Sequence, residues 1–590
     1  MKAIMVMFDT LTRNYLSTYG NDWCHTPNFK RLEEKCCVMD RFYGGSMPCM
    51  PARREIHTGK YNFLHRSWGP LEPFDFSVIE ALGKAGIYTH LCTDHSHYFE
   101  DGGCTYHNRY ASWEGFRGQE GDRWKPRLNV PDIETSKYGK KGISLTQHIA
   151  NKSAQQKEQD MSSVKTFIAG LEFIEEHRQN DNWFLTIESF DPHEPFVVPE
   201  EYDALYSEKI KKKDLDWPDY HPVIESTEDI ENLKYKYAAL LSKCDRSLGK
   251  VLDMMDNYNL WEDTMLIVCT DHGFLLGEHG WWAKNMMPAY NELVNTPLFI
   301  WDPRTKKQNE IRKSLVQTID LPVTLLDYFN QGIPKDMQGK NLKETILNDK
   351  KVREACLFGW HGNQINCTDG TYVYMRGQEN LSNSPLYEYT LMPTHIKSRF
   401  SIEELQDFEV VPPFSFTKGC KTMKIEVKNF NQHYRYGTSL YNIKEDYYQK
   451  QPILDFDIEL KMAKEMIKLM NDSDAPDEQY LRVGLPKDGN LTIEDLKNYR
   501  KKFENEYNLG EELENKYIWT DNTKEMMRAF INLMNFSEKD ELLEKFLQFL
   551  KLENIKEITK ENLEKFVKSK VTEERKAMIM YFLNLLARRD

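Results

Sequence analysis

The sequence predicts an α/β fold built around a doubly wound, mostly parallel sheet. Short apolar runs have the composition of parallel strands that are buried on both faces, at residues 4–8, 89–93, 184–190, 265–270 and 297–301. Helical patterns lie between them, at 77–85 and over the long stretch 233–258. Strand alternating with helix is typical of the doubly wound architecture, so we expect one large sheet covered by helices.

Acidic and imidazole side chains follow four of these predicted strands. They are Asp9, the pair Asp94-His95, the group Asp191 to His193, and the pair Asp271-His272. In open α/β sheets, ligands bind at the carboxyl ends of the strands. Four separate segments therefore bring metal-ligating or acid–base groups to one edge of the sheet.

The length of 590 residues predicts more than one domain. We expect a catalytic α/β domain over residues 1–355 and a smaller α+β subdomain over 356–485, with antiparallel strands at 371–376 and 422–427. A Lys- and Glu-rich helical module follows over 486–590, entered through a linker at 486–489. One of its helices is predicted from a cap and an apolar face: Ser537, Asp540, Leu543, Phe546, Leu547 and Leu550.

Composition narrows the class of protein. The net charge of −14 argues against a nucleic-acid binder, and no apolar run approaches the length of a membrane span. We therefore expect neither a nucleic acid nor a membrane as a partner. The chain passes from Lys2 directly into an apolar strand, without the pattern of a secretory signal. Eleven scattered cysteines, including an adjacent pair at 36–37 read as buried thiols, fit a reducing compartment. We therefore expect a cytoplasmic protein, with a helical tail able to mediate homo-oligomerisation.

The segment from Cys49 to Lys60 is the most informative part of the chain. It places Cys49 directly before a short helix that Pro51 opens and Gly59 closes. The positive end of the helix dipole and the guanidinium of Arg53 predict a reactive thiol.

The same segment resembles the activation motif of sulfatases, C-x-P-[SA]-R followed by T-G, here Thr58-Gly59. The stretch from Thr270 to Lys284 resembles the second metal-binding element of that family, and 190–196 resembles its H-x-P-[FY] segment. Further family landmarks are matched at 263–264, 295–298, 339–342 and 439–443, so the resemblance covers roughly residues 1–450. It implies an alkaline-phosphatase-like α/β/α sandwich with a large mixed, mostly parallel sheet, a small antiparallel C-terminal sheet and a helical tail.

The resemblance also implies a chemistry. A maturase would oxidise Cys49 to formylglycine (3-oxoalanine), whose hydrate attacks the sulfur of a small sulfate ester such as a sulfated sugar. One divalent metal ion would be held by Asp9, Cys49, Asp271 and His272. Arg53 and Lys284 would spread the charge of the transferred group, and His193 would protonate the leaving oxygen. A second hydroxyl on the hydrate allows release without water, which explains why a cysteine would be modified.

Three departures from the family pattern leave alternatives open. Thr10 stands in place of an aspartate and His272 in place of an amide, which favours manganese or zinc over calcium. Together with Ala52, these features are similar to phosphonate monoester hydrolases, so a phosphonate monoester or phosphodiester is the alternative substrate. The Lys-x-His segment of the family is missing. We expect His95 and His97, which lie in the place of that segment, to face the substrate. A second metal ion bound by Asp94 and these histidines is a further alternative. A non-catalytic protein that keeps the fold is the remaining alternative.

Overall fold

The computed structural model describes residues 1–128, 143–223, 225–380, 382–427, 436–507, 517–519 and 539–570. The strands are β1 (Lys2–Phe8), β2 (Cys37–Met39), β3 (Phe42–Tyr43), β4 (Tyr88–Thr93), β5 (Ser112–Gly115), β6 (Trp183–Ser189), β7 (Thr264–Thr270), β8 (Leu275–Leu276), β9 (Trp282–Ala283), β10 (Leu298–Trp301), β11 (Glu310–Arg312), β12 (Val316–Gln317), β13 (Cys356–Gly359), β14 (Ile365–Thr368), β15 (Tyr372–Arg376), β16 (Tyr387–Thr390), β17 (Glu409–Val411), β18 (Thr422–Glu426), β19 (Ser439–Asn442), β20 (Ile518–Trp519) and β21 (Glu557–Ile558). The α-helices are α1 (Pro27–Lys35), α2 (Met50–Thr58), α3 (Val78–Lys84), α4 (Cys104–His107), α5 (Ile143–Ser153), α6 (Ser162–His177), α7 (Glu200–Ala204), α8 (Thr227–Asn257), α9 (Asn291–Val294), α10 (Asp320–Tyr328), α11 (Lys343–Asn348), α12 (Phe456–Asp472), α13 (Asp477–Arg482), α14 (Ile493–Tyr507), α15 (Lys539–Leu552) and α16 (Lys560–Lys570).

A mixed, mostly parallel sheet of eight strands forms the centre of the described structure. Its order is β11-β2-β10-β7-β1-β6-β4-β5, and β1 pairs in parallel with both β6 and β7. The predicted strand at 297–301 exists as β10, but its expected parallel direction is wrong. It runs antiparallel to both neighbours, β7 and β2. A buried antiparallel strand has the same near-continuous apolar sequence as a buried parallel one, so composition could not distinguish them.

Helices cover both faces of this sheet, as the doubly wound prediction requires. Alternate residues of β1 belong to opposite cores, because successive side chains of a strand point to opposite faces. Val6 packs in the core that contains α1, α6 and α8, whereas Met5 packs in the core that contains α3 and α10. The result is an α/β/α sandwich in which the carboxyl ends of β1, β4, β6 and β7 meet at one edge.

The C-terminal region differs from prediction in one respect. The strands expected at 371–376 and 422–427 exist as β15 and β18, but they belong to two separate antiparallel sheets. One sheet has the order β13-β14-β15-β19 and the other β16-β18-β17. Strand type can be predicted locally, whereas pairing depends on distant residues, so the sequence pattern could not separate the two sheets.

The start of the predicted helical module packs on the preceding region. Leu491 and Leu496 share a hydrophobic core with Tyr374 and the helix α12. In the later helix α15, Phe546 and Leu550 are buried and Leu547 is half-buried, whereas Ser537 lies outside the described residues. The division into three domains and the oligomerisation role of the tail stay predictions. Within the described ranges, no helix combines the length and the hydrophobicity that crossing a bilayer would require.

Candidate active site

Four buried side chains at the edge of the large sheet form a potential metal site. Asp9 follows β1, Asp271 and His272 follow β7, and Cys49 caps the start of α2. One ligand atom from each of these residues lies within 4.8 Å of the others, and all four are buried. The predicted ligand set therefore comes together although its members are separated by up to 263 positions in the chain.

The guanidinium of Arg53 ties three carboxylates together beneath this group. Its Nη2 lies 3.0 Å from Asp9 Oδ2, its Nη1 lies 2.6 Å from Asp271 Oδ2, and its Nε lies 2.5 Å from Glu188 Oε1. All of these side chains are buried, and a planar guanidinium has the donor geometry needed to satisfy several carboxylates at once. Arg53 thus fixes the orientation of two candidate metal ligands.

Thr10 and Lys284 complete the charged cluster around Asp9. Thr10 Oγ1 donates to Asp9 Oδ1 at 2.6 Å and accepts from Lys284 Nζ at 3.0 Å, while Lys284 Nζ lies 3.7 Å from Asp9 Oδ1. Burial alone would raise the pKa of Asp9, but the charges of Lys284 and Arg53 hold it well below its usual range. Asp9 is therefore ionised and available to bind a cation.

The charge of the cluster constrains what it can bind. Three carboxylates (Asp9, Glu188 and Asp271) face two cationic side chains (Arg53 and Lys284), which leaves one net negative charge. A bound divalent cation would make this cluster net positive, which suits an anionic ester.

The ring of His272 is oriented as a metal ligand. Its Nδ1 donates to the backbone carbonyl of Gly273 at 2.9 Å, which leaves the lone pair on Nε2. Nε2 faces Cys49 Sγ at 3.2 Å and Asp271 Oδ2 at 3.4 Å. Burial lowers the pKa of His272 to about 4, so the imidazole is neutral at physiological pH, as metal binding requires.

Cys49 lies where predicted, but the expectation of a reactive thiol is wrong. Burial and the nearby Asp9 carboxylate raise the pKa of Cys49 well above its usual range. The charges of Lys284 and Arg53 offset only part of this effect, and the guanidinium of Arg53 is already bound to three carboxylates. As a cysteine, residue 49 would be a protonated thiol at neutral pH and a poor nucleophile.

His193 follows β6 and is held by its own loop. Its Nδ1 lies 2.5 Å from the backbone carbonyl of Glu194 and 3.2 Å from Glu194 Oε2. Asp191 anchors this loop through Lys243 Nζ of helix α8, at 2.5 Å from Asp191 Oδ2. A protonated His193 would add to the charges that lower the pKa of Asp9, which is consistent with an imidazole near the charged cluster.

The two histidines predicted to face the substrate have different surroundings. His95 is buried with Nε2 at 3.8 Å from Asp9 Oδ2, so it borders the cluster. His97 instead binds Glu100 at 2.7 Å and packs edge-on against Trp68. The second metal considered at Asp94 and these histidines is not supported, because the Asp94 carboxylate faces Gln119, Ser162 and the backbone of Phe190.

Sequence reasoning missed Glu188 and Glu194 as members of the site. Glu188 lies inside the apolar strand β6, where an isolated buried acid is itself a signal that a buried cation is nearby. Glu194 lies next to His193 and is fully buried. The pairing of Glu188 with Arg53 could not be derived from spacing, since the two are 135 residues apart, whereas Glu194 is adjacent to His193 in the sequence.

The comparison with protein families decides the identity. A family model described as Sulfatase matches residues 2–331, which contain the whole charged cluster. This chain belongs to the sulfatase family. An arylsulfatase of Clostridium perfringens is 22% identical over 395 residues, covering 61% of this sulfatase and 81% of the relative. An N-acetylglucosamine-6-O-sulfatase of Bacteroides thetaiotaomicron is 22% identical over 409 residues, covering 59% and 71%. The protein is a sulfuric ester hydrolase.

Solved structures share the fold of this sulfatase. A protein in complex with D-glucosamine-2-N,6-O-disulfate superposes with a TM-score of 0.57 at 15% identity, covering 81% of this chain and 98% of that one. A phosphonate monoester hydrolase of Agrobacterium radiobacter gives a TM-score of 0.55 at 16% identity, covering 80% and 96%. The predicted alkaline-phosphatase-like sandwich is confirmed.

Proposed function

We propose that this sulfatase hydrolyses small sulfate esters with a formylglycine nucleophile at position 49 and one divalent metal ion. The observation that carries the proposal is the placement of Cys49. It caps helix α2 with Sγ 3.2 Å from His272 Nε2, within a fully buried group of candidate ligands. In the mature enzyme, an oxygen of the formylglycine hydrate would take the place of Sγ.

The residues present fit a divalent cation. Asp9 and Asp271 supply carboxylate oxygens, His272 supplies a neutral imidazole nitrogen, and residue 49 supplies the remaining ligand. A mixed oxygen and nitrogen set with an imidazole suits manganese or zinc better than calcium, which prefers oxygen ligands alone. When bound, the cation would polarise the ester oxygen and lower the pKa of the nucleophile.

The other side chains would position the metal ligands, stabilise the transferred group, donate a proton and contact the ester. Arg53 holds Asp9 and Asp271 in place, and Lys284, held by Thr10, directs a positive charge at the transferred group. His193 would donate a proton to the departing alcohol oxygen. His95, beside Asp9, would contact the bound ester, and the same role for His97 stays a prediction.

The raised pKa of the Cys49 thiol supports the need for modification. A protonated, buried thiol is a weak nucleophile, and neither Lys284 nor Arg53 overcomes the effect of its burial. Formylglycine removes this problem because its hydrate supplies hydroxyl groups beside the candidate metal ligands. The proposal requires a maturase as a partner. All eleven cysteines are free, which supports a reducing compartment such as the cytoplasm.

A phosphonate monoester or phosphodiester is the second candidate substrate. Like a sulfate ester it carries a single negative charge, so the charge of the cluster suits both. Thr10 and His272 favour this alternative, because they replace residues usual in sulfatases and are similar to phosphonate monoester hydrolases. The named sulfatase relatives favour the sulfate ester.

One comparison tests the proposal. Protein whose residue 49 is verified as formylglycine by mass spectrometry is assayed with an aryl sulfate and with an aryl phosphonate monoester, before and after metal removal by a chelator. We expect a higher kcat/KM for the sulfate, lost on chelation and restored by manganese. A higher kcat/KM for the phosphonate establishes the alternative, and unchanged activity after complete metal removal refutes the metal requirement.

A further inference from the structure

We propose that Glu194, held by Tyr220, is a positioning residue for His193, and that its carboxylate acts as the counter-ion of the protonated imidazole when His193 protonates the leaving group. This inference rests on the proposed function, because it takes His193 as the acid that protonates the departing alcohol.

The three side chains are arranged in sequence behind the charged cluster. The hydroxyl of Tyr220 donates to Glu194 Oε1 at 2.6 Å, and Glu194 Oε2 lies 3.2 Å from His193 Nδ1. Glu194 is fully buried and His193 is 3% exposed. Oε2 accepts no hydrogen bond from any described residue, so this buried carboxylate oxygen is directed at the imidazole, and the charge of Lys284 also acts on Glu194. Such an oxygen is costly to bury unless a positive charge develops beside it.

The orientation of the ring assigns its two nitrogens. Nδ1 lies 2.5 Å from the backbone carbonyl of Glu194, an acceptor only, so Nδ1 carries a proton. The nitrogen that exchanges a proton with substrate is then Nε2. The ring of Phe190 packs 4.2 Å from the imidazole and keeps its plane in place. The carbonyl and the carboxylate of one residue thus fix the tautomer that an acid acting through Nε2 requires.

The carboxylate also stabilises the charged form of the ring. Before bond cleavage both nitrogens of His193 carry protons, and Glu194 lies beside the imidazolium as its counter-ion. An ionised oxygen of the nucleophile at residue 49 would bond to sulfur as the ester S–O bond breaks. The electron pair of that bond goes to the departing oxygen, which takes the proton from Nε2. The ring is left neutral with its Nδ1 proton, and Glu194 remains ionised throughout. A proton from the solvent returns to Nε2 before the next turnover.

The same group of atoms could instead hold a cation. Glu120, His193 and Glu194 offer ligand atoms within 4.8 Å of one another. However, the ring nitrogen that faces both carboxylates is Nδ1, at 3.2 and 3.9 Å, and its proton is directed to a carbonyl. A protonated nitrogen has no lone pair for a metal, so the arrangement favours Glu194 as the counter-ion of the ring over a metal site.

The experiment compares leaving groups in the mature, metal-loaded full-length enzyme. Glu194→Gln is assayed with 4-nitrophenyl sulfate, whose leaving group departs readily as an anion, and with unsubstituted phenyl sulfate, which has nearly the same shape but needs the proton more. We expect kcat/KM for phenyl sulfate to fall about 10- to 100-fold and that for 4-nitrophenyl sulfate to fall less than about threefold. Tyr220→Phe should show the same selectivity with a smaller loss, and Glu194→Asp should recover part of the phenyl sulfate activity.

Glu100→Gln is the matched control, since Glu100 also binds a histidine Nδ1, that of His97. It should change both substrates by the same factor. An equal loss on both substrates in Glu194→Gln would assign Glu194 a structural role and overturn its proposed role as counter-ion to His193. In that case, activity of the wild type on both esters would leave the proposed function intact. If the wild type hydrolysed neither ester, both this proposal and the proposed function would be wrong. Should Glu194→Gln lose its folded structure by circular dichroism, the selectivity of Tyr220→Phe decides the question. Activity that returns to Glu194→Gln on raising the metal concentration would indicate a cation site instead.

Discussion

Glu55 gives a prediction about the stability of the segment that carries residue 49. It lies on helix α2, is fully buried, and its Oε1 accepts the backbone N–H of Ser46 at 2.5 Å. Burial raises the pKa of Glu55 from its ordinary 4.5 to about 8, although hydrogen bonds from Ser46 and Gly45 partly oppose the shift. The folded protein therefore holds this proton at a pH where the unfolded chain has released it.

The sign and size of the effect follow from that difference in pKa. A raised carboxyl pKa means that the folded state binds more protons than the unfolded state between pH 4.5 and 8, so stability falls as pH rises through this window. From pH 4.5 to 7, the loss amounts to about 3 kcal/mol at 1.36 kcal/mol per pKa unit. Glu55→Gln removes the titration, and its amide oxygen can still accept the Ser46 N–H. The variant should keep the stability that the wild type loses.

The assay is urea unfolding followed by tryptophan fluorescence at about pH 5, 6 and 7. The wild type should lose stability relative to Glu55→Gln as pH rises, with a difference of about 2.5 kcal/mol building up between pH 5 and 7. Glu34→Gln, a substitution at an exposed glutamate, is the control and should follow the wild type at every pH. Parallel pH profiles for Glu55→Gln and the wild type would refute the reasoning.

Three further substitutions test the charged cluster. Lys284→Ala should lower kcat/KM for a sulfate ester about 100-fold, because it removes a positive charge beside Asp9; an unchanged value would contradict its role. His272→Asn should shift the metal that best restores activity, after chelation, from manganese or zinc toward calcium, whereas an identical metal profile would contradict its place as a ligand. Arg53→Lys should lower the free energy of unfolding by about 3 kcal/mol, because one ammonium cannot satisfy three buried carboxylates; a melting temperature equal to that of the wild type would contradict the pairing.

The sequence predicted the elements of the large sheet well because their signals are local. The runs that became β1, β4, β6 and β7 are apolar and short, and Asp9, Asp271 and His272 follow two of them directly. Parallel strands place their carboxyl ends at one edge, so strand ends alone were enough to predict that these residues meet.

The features that escaped prediction depend on contacts between distant residues. The antiparallel direction of β10 and the separation of β15 from β18 are set by pairing, which composition does not reveal. The pairing of Glu188 with Arg53 also depends on residues that are distant in sequence. It explains why the predicted reactivity of the Cys49 thiol was wrong. Arg53 lies close to Cys49 in sequence, but its charge is balanced by carboxylates from three other segments.

The role of residue 49 as the nucleophile can be tested directly in one measurement. Cys49→Ser supplies a single hydroxyl in place of the hydrate, so it can accept the transferred group but has no second hydroxyl to expel it. After incubation with an aryl sulfate, mass spectrometry of the peptide containing residue 49 should show one added sulfuryl group, with Cys49→Ala as the unmodified control. A Cys49→Ser peptide that stays unmodified while the formylglycine enzyme turns over the same ester would contradict the account.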